Sequence, residues 1–291
     1  MKYVERKVGN HIMKIDAIGG GINQTLRDKP NKEREPELLY ILREEIKPEM
    51  VCMDLGANIG YVTLLMAERV GPKGLIHAVE PDPANFKLLN MNIDINKYSK
   101  IVKTDLIAIS DKSGEIDFFV GKNASNLGSI NKHKKTLSSP IKVKTESLTN
   151  YFKGKIFPNL IKMDIEGAEI LVLKGMYERA KEDSFPCKIV MELHPDFYPK
   201  KEGLDFWLKK FFDINFNPKY VVSAGVIHPD KFKKWGYTPV KSFASNRGLY
   251  NGFSKEHTIE ACCFENKQWM PSKKKYSSKI ARFLMIERNQ T

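Results

Sequence analysis

VCMDLGANIGYVT, residues 51–63, reads as a buried strand, a glycine turn and the start of a helix. Val51, Cys52 and Met53 are apolar in succession, as in a parallel strand covered on both faces. Gly56 and Gly60 let the backbone turn beneath a ligand. The spacing is D-x-G-x-x-x-G rather than G-x-G-x-x-G, so the close glycine that admits a pyrophosphate to a helix N-terminus is missing. In its place stands a carboxylate, Asp54, at the C-terminal end of the strand, suited to a ligand that carries an ammonium group.

Working outward, His77, Ala78 and Val79 form a second strand that ends in Glu80, 24 residues after Gly56, followed by Pro81, Asp82 and Pro83. An acid at that strand end can accept both hydroxyls of a ribose. Each acid alone reads as a helix cap or a solvated loop carboxylate; the two at this spacing point to S-adenosylmethionine (SAM).

On either side the apolar periodicity continues. Pro36 stands at a first helical position, and Leu38, Leu39, Ile41, Leu42 and Ile46 share one face of a helix leading into the first strand. Beyond Gly71 and Pro72, a helix over Pro83–Asn96 and a third strand over Ile101–Ile109 extend the alternation to βαβαβ. That order predicts an α/β, doubly wound, mostly parallel sheet. Gly114–Gly121 reads as an edge strand. The polar run Lys122–Pro140 reads equally as a lid or as disorder. Ile141–Thr145 returns as a strand, and Ser147–Phe152 as a short helix. Leu160–Glu169, LIKMDIEGAE, is a strand delivering Asp164 and Glu166 into a turn at Gly167; the alternative is two acids capping the following helix. Lys188–Leu193 carries Glu192 into His194, and a histidine beside three crevice acids is a catalytic candidate. Leu204–Phe212 is an amphipathic helix, and Tyr237–Phe243 with Thr258–Phe264 is expected as an antiparallel strand pair. Asn215–Trp235 has no assignment. From Lys273, basic residues around Ile280, Phe283, Leu284 and Ile286 outline a tail that lies on an anionic or membrane surface or packs as a terminal helix.

The 291 residues, 42% hydrophobic, suffice for one large core with decorations: an N-terminal extension over 1–34, a catalytic domain over 35–266 and a basic tail over 267–291. No apolar run of about 18 residues occurs, and MKYVERKVGN lacks an apolar signal core, so the expected location is cytoplasmic, with a possible membrane-surface contact through the tail. Cys52, Cys187, Cys262 and Cys263 have no C-x-x-C spacing and are placed in strands as buried hydrophobes. A net charge of +13 admits nucleic acid, anionic lipid or a phosphorylated substrate as partner.

DLGANIGYVTLL at Asp54, HAVEPDPANFKLLNMNI at His77, AISDKSGEIDFF at Ala108, LIKMDIEGAEILVLKG at Leu160 and IVMELHP at Ile189 together resemble the FkbM-type SAM-dependent methyltransferases over roughly Glu35 to Phe264. The resemblance implies a Rossmann-like class I fold with a seven-stranded sheet. It also implies O-methylation of a hydroxyl on a sugar, glycan or natural product, with Asp54, Gly56, Asn58, Gly60 and Glu80 as cofactor residues. Many proteins of this architecture end the third strand in an acid that reads adenine. Here Ile107 and Ala108 stand at that place, so adenine is assigned to backbone groups near Ala108, with Asp105 or Asp111 as weaker candidates.

Methyl transfer from a sulfonium requires alignment above all, but a sugar hydroxyl is a poor nucleophile and gains from a base or a cation. His194, with Asp164, Glu166 and Glu192, can supply a base, the preferred reading; alternatively Asp164, Glu192 and His194 hold a divalent metal. Base N-methylation of nucleic acid employs Asn or Asp before Pro-Pro-aromatic, and the fourth strand carries Asp164-Ile165-Glu166-Gly167 instead. A nucleic-acid partner is therefore the second choice behind a hydroxylated acceptor.

Overall fold

The protein was analysed as a computed structural model that describes residues 2–121, 137–182, 185, 187–224, 229–263 and 280–288. The chain divides into two units, Met1–Ile161 and Lys162–Thr291.

In the first unit, Tyr3–Val8 (β1) and His11–Asp16 (β2) pair as an antiparallel hairpin and are followed by helices Ile22–Asp28 (α1) and Pro36–Glu45 (α2). Pro36 opens α2, as its fixed φ favours, and Leu38, Leu39, Ile41 and Leu42 are buried. Strands Val51–Leu55 (β3), Leu75–Val79 (β4) and Val102–Asp105 (β5) are parallel, joined through helices Tyr61–Val70 (α3) and Pro83–Ile95 (α4). This is the βαβαβ alternation read from the sequence, and the α/β, Rossmann-like class holds. The expected third strand is cut short. After Asp105 the chain bends, and Ala108–Ser110 (β6) joins Gly114–Gly121 (β7) and Leu137–Ser147 (β8) in a separate sheet ordered β6-β8-β7. Leu148–Tyr151 (α5) follows, capped by the Ser147 hydroxyl. Most of the run read as a lid, residues 122–136, lies outside the described residues.

The N-terminal hairpin is fixed to this core by α4. The Asn92 amide accepts from Lys14 N–H at 2.6 Å and donates to the Lys14 carbonyl at 3.1 Å and the Ile59 carbonyl at 2.8 Å. Asn96 treats Ile12 in the same way. Both amides thus satisfy the free edge of β2 as a further strand would, and Met13, Ile15 and Leu26 pack with Ile59 and Leu64 beneath.

The second unit begins inside Leu160–Met163 (β9) and continues through Glu169–Ala180 (α6), Lys188–Glu192 (β10), a 3-10 turn at Pro195–Phe197, Leu204–Asp213 (α7), Phe216–Ser223 (β11), Pro229–Lys234 (α8), Lys241–Phe243 (β12), Arg247–Tyr250 (β13), Lys255–Cys263 (α9) and Ala281–Arg288 (β14). Its strands run β12-β13-β11-β14-β10-β9. The expectation of seven mostly parallel strands is corrected here. Among the described residues, three parallel strands in the first unit and six in the second make nine, and the pairs β10–β14, β14–β11, β11–β13 and β13–β12 are all antiparallel.

The C-terminal expectation is corrected as well. Ala281–Arg288 is a strand between β10 and β11, not an amphipathic helix. Phe283, Leu284, Met285 and Ile286 are each at most 1% exposed, a consecutive burial that requires both faces covered and that a one-sided helix cannot give. Lys273 and its basic neighbours up to residue 279 lie outside the described residues. Residues expected as a strand, Thr258–Phe264, lie mostly in α9, where the Ser254 hydroxyl accepts from His257 N–H and Thr258 N–H bonds to the Ser254 carbonyl. Cys262 and Cys263 therefore stand in a helix, while Cys52 is in β3. Among the described residues no helix is long and apolar enough to cross a membrane.

Asn92→Ala removes three hydrogen bonds at once and strands buried backbone groups. We expect a loss of roughly 2–3 kcal/mol in urea unfolding, with earlier proteolytic release of the first strands. A change under about 0.5 kcal/mol would show that the amide does not hold the hairpin.

Candidate active site

The turn at 56–60 is held by backbone groups of its neighbours. Gly56 N–H and Ala57 N–H both donate to the Val79 carbonyl at 3.1 Å, hooking the turn over the end of β4. Gly56 (φ 75°), Asn58 (φ 51°) and Gly60 (φ 92°) are left-handed, which a glycine adopts without steric cost. A Cβ at Gly60 would stand 3.0 Å from Leu89 Cδ1, so the missing side chain also lets α4 approach the turn.

Glu80, one residue past β4, reads this turn directly. Its Oε2 accepts from Asn58 N–H at 2.7 Å and its Oε1 from Asp82 N–H at 2.9 Å, and the Asn85 side chain donates to it as well. Asp82 then caps α4 through Ala84 N–H at 2.7 Å. Burial pushes the Glu80 carboxyl up to about 7 despite these donors. A carboxylate offers about four lone-pair sites, and three of them meet these protein donors. Asp54 is fully buried, and its Oδ2 accepts from the Thr63 hydroxyl at 2.7 Å, bracing the first turn of α3.

Ala108 opens β6, pairs with Thr145 and packs with Phe118 and Val143 in the separate three-stranded sheet. Asp105 accepts from the Tyr151 hydroxyl at 2.6 Å, and that hydroxyl in turn lies 3.2 Å from His77 Nδ1. Asp111 lies in reach of the Ser110 hydroxyl at 3.2 Å. The expected cofactor residues Gly56, Asn58 and Gly60 thus form one left-handed turn, with Glu80 bonded to it through Asn58 N–H.

In the second unit the strand-end acids and the histidine come together. Asp164 and Glu166 follow β9, Glu192 ends β10, and His194 stands two residues on. His194 Nε2 is 4.0 Å from Asp164 Oδ1 and 3.9 Å from Glu166 Oε2. Carboxylate oxygens of Asp164 and Glu192 and a ring nitrogen of His194 all lie within 4.8 Å of one another. Arg282 Nε meets Glu192 Oε1 at 3.3 Å.

Sequence reasoning missed the residue that orients this ring. Glu169, the first residue of α6 and fully buried, places Oε1 3.0 Å from His194 Nδ1 and 3.4 Å from Ile165 N–H and Gly167 N–H. It is the last acid of DIEGAE, which has no role in the sequence reading. The Tyr198 hydroxyl accepts from His194 N–H at 2.9 Å, and the Phe197 ring stacks on the imidazole at 6.1 Å between centroids.

Burial alone would lower the His194 imidazole, but the charges of Glu169, Asp164 and Glu192 outweigh it and hold the ring at about 9. Partial burial and the neighbouring Glu192 charge hold the Asp164 carboxyl above its usual range. As it stands the imidazole is a cation at neutral pH, so the sequence reading of His194 as a ready base requires something that displaces its proton.

The model of the methyltransferase FkbM domain matches residues 54–218. The chain is 29% identical over 168 residues to the hexuronic acid methyltransferase AglP of Haloferax volcanii, covering 57% of this chain and 65% of that protein. It thus spans slightly under two thirds of that relative's length. Among solved structures, methyltransferase FkbM from Methylobacillus flagellatus matches with a TM-score of 0.36 and 17% identity, over 55% of this chain and 40% of that one. A SAM-dependent O-methyltransferase from Thermotoga maritima matches with a TM-score of 0.43 and 11% identity, over 98% and 85%.

The His194 proton carries a stability signature. Its folded value lies above the unfolded value of 6.5, so the stabilisation is fully present below pH 6.5 and is lost as pH rises through about 9. In chelator-treated protein the loss should approach the order of 3 kcal/mol in unfolding free energy, and His194→Gln should flatten it. A wild-type profile level across that window contradicts the assigned charges.

Proposed function

Because the chain belongs to the FkbM methyltransferase family, a family of SAM-dependent methyltransferases, we propose that it transfers a methyl group from SAM to a hydroxyl oxygen of a sugar. Bound SAM supplies the methyl already activated on a sulfonium. The residues that would hold it are Asp54, Gly56, Asn58, Gly60 and Glu80, with Asp54 also accepting from the Thr63 hydroxyl of α3. Backbone groups near Ala108 are the further assignment for adenine.

The observation that carries the hydroxyl reading is the His194 cluster. The imidazole locked through Nδ1 by buried Glu169, with Asp164, Glu166 and Glu192 around it, forms a cluster of acid–base groups suited to taking the proton of an oxygen nucleophile. A nitrogen nucleophile with its own lone pair has less use for it. The net charge of +13 favours an acceptor that carries negative charge, and the relative AglP is named for a hexuronic acid. Acidic sugars therefore head the acceptor panel, ahead of neutral sugars and other alcohols.

Two variants separate cofactor from acceptor chemistry. Glu80→Ala should weaken SAM binding by about 1.5–3 kcal/mol in calorimetry, the scale of a charge-assisted hydrogen bond. His194→Ala should leave SAM affinity unchanged while lowering turnover on a responsive sugar by roughly 100-fold or more. Unchanged turnover in a folded His194→Ala protein would place the acceptor chemistry elsewhere.

A further inference from the structure

We infer that Asp164, Glu192 and His194 bind one divalent cation of the magnesium–manganese class, with Glu169 as the carboxylate that orients the histidine toward it. The binding claim stands on the cluster's own geometry; its catalytic use rests on the sugar-hydroxyl reading above.

Three observations converge on a cation. First, the donor set is mixed and compact: two carboxylates and one imidazole offer ligand atoms mutually within 4.8 Å. Hard oxygen donors with a single nitrogen suit magnesium or manganese better than zinc, which favours sulfur and several imidazoles. Second, the imidazole is arranged as metal-bound histidines are. Nδ1 lies 3.0 Å from Glu169 Oε1, which assigns the ring proton to that side and turns Nε2 toward Asp164. Glu169 is itself fully buried, and its Oε2 has no hydrogen-bond partner among the described residues. A carboxylate held at such desolvation cost requires positive charge close by. Third, four carboxylates, of Asp164, Glu166, Glu169 and Glu192, gather around one imidazole, a concentration of negative charge that a divalent ion would offset.

Such an ion would supply Lewis-acid activation of an acceptor hydroxyl. Glu166, the acid outside the ligand trio, whose Oε2 is 3.9 Å from His194 Nε2, would then be the group to take up the hydroxyl proton. Glu166 is held in a left-handed conformation at φ 50°, an uncommon state for a side chain of its kind.

The test uses the full chain stripped with chelator and then titrated with Mn2+ alone, without SAM or sugar, and read by electron paramagnetic resonance. We expect saturation at one ion per chain and nitrogen modulation in the spin-echo spectrum. His194→Ala should lose that modulation, and Asp164→Asn and Glu192→Gln should each lose the binding. Glu169→Gln, which keeps the shape and removes the charge, should weaken binding by roughly 10- to 100-fold. Absence of Mn2+ binding in folded protein that still binds SAM overturns the inference and leaves the methyltransferase reading intact. Mn2+ binding without nitrogen coupling, or indifferent to the carboxylate variants, overturns it too. If the ion binds as expected but no sugar is methylated, the site stands and the sugar reading fails.

Discussion

Carboxylates withdrawn from water, just past β4 and at the start of α6, are the constraint on which the candidate site residues of each unit depend. An ionised acid out of water must be met by donors or by positive charge, or it takes up a proton. Glu80 and the Glu169 group answer this demand differently, and their answers set the chemistry each can perform.

At Glu80 the answer is backbone. The Asn58 and Asp82 N–H groups bind the two oxygens, which fixes the left-handed turn against β4 and passes the constraint on to the Asp82 cap of α4. Hairpin and turn are tied to the same helix, since Asn92 bonds both Lys14 and Ile59. The N-terminal segment is thus part of what holds the turn in shape. At Glu169 the answer is charge. Backbone donors lie at 3.4 Å, long for strong bonds, and the close partner is His194 at 3.0 Å. The first arrangement is finished by the fold itself and presents a shaped cradle. The second is met by the His194 imidazole.

Much of this was legible in the sequence, for identifiable reasons. The β3–α3–β4 unit could be read because Gly56 and Gly60 interrupt an apolar run at positions that demand positive φ, and Glu80 falls at the next strand end. Asp164, Glu166, Glu192 and His194 could be grouped because parallel strands deliver their C-terminal ends to one edge. Glu169 was not legible, since an acid opening a helix already has an ordinary explanation in the helix dipole. The sheet beyond β10 failed for another reason. The lysines around residues 273–282 gave β14 a polar flank that mimics a surface helix, and β11 carries Asn217, Pro218 and Lys219 within its strand, which masks its pattern. Long-range antiparallel pairing, not local propensity, decides those elements. Thr258–Phe264 went wrong through local chemistry, as the Ser254 cap overrides an apolar run that reads as a strand.

If the chain methylates a sugar hydroxyl, the product is an ether. The protein is incubated with SAM labelled with carbon-13 in its methyl group, together with acidic and neutral sugars, and carbon–proton correlation spectra of the products are recorded before and after mild alkali, which removes methyl esters and leaves ethers. The expected result is an alkali-stable O-methyl signal on an acidic sugar, reduced at limiting SAM when Glu80 is replaced by alanine. Label found only in an alkali-labile ester, only on nitrogen or only on nucleic acid would contradict the sugar-hydroxyl reading.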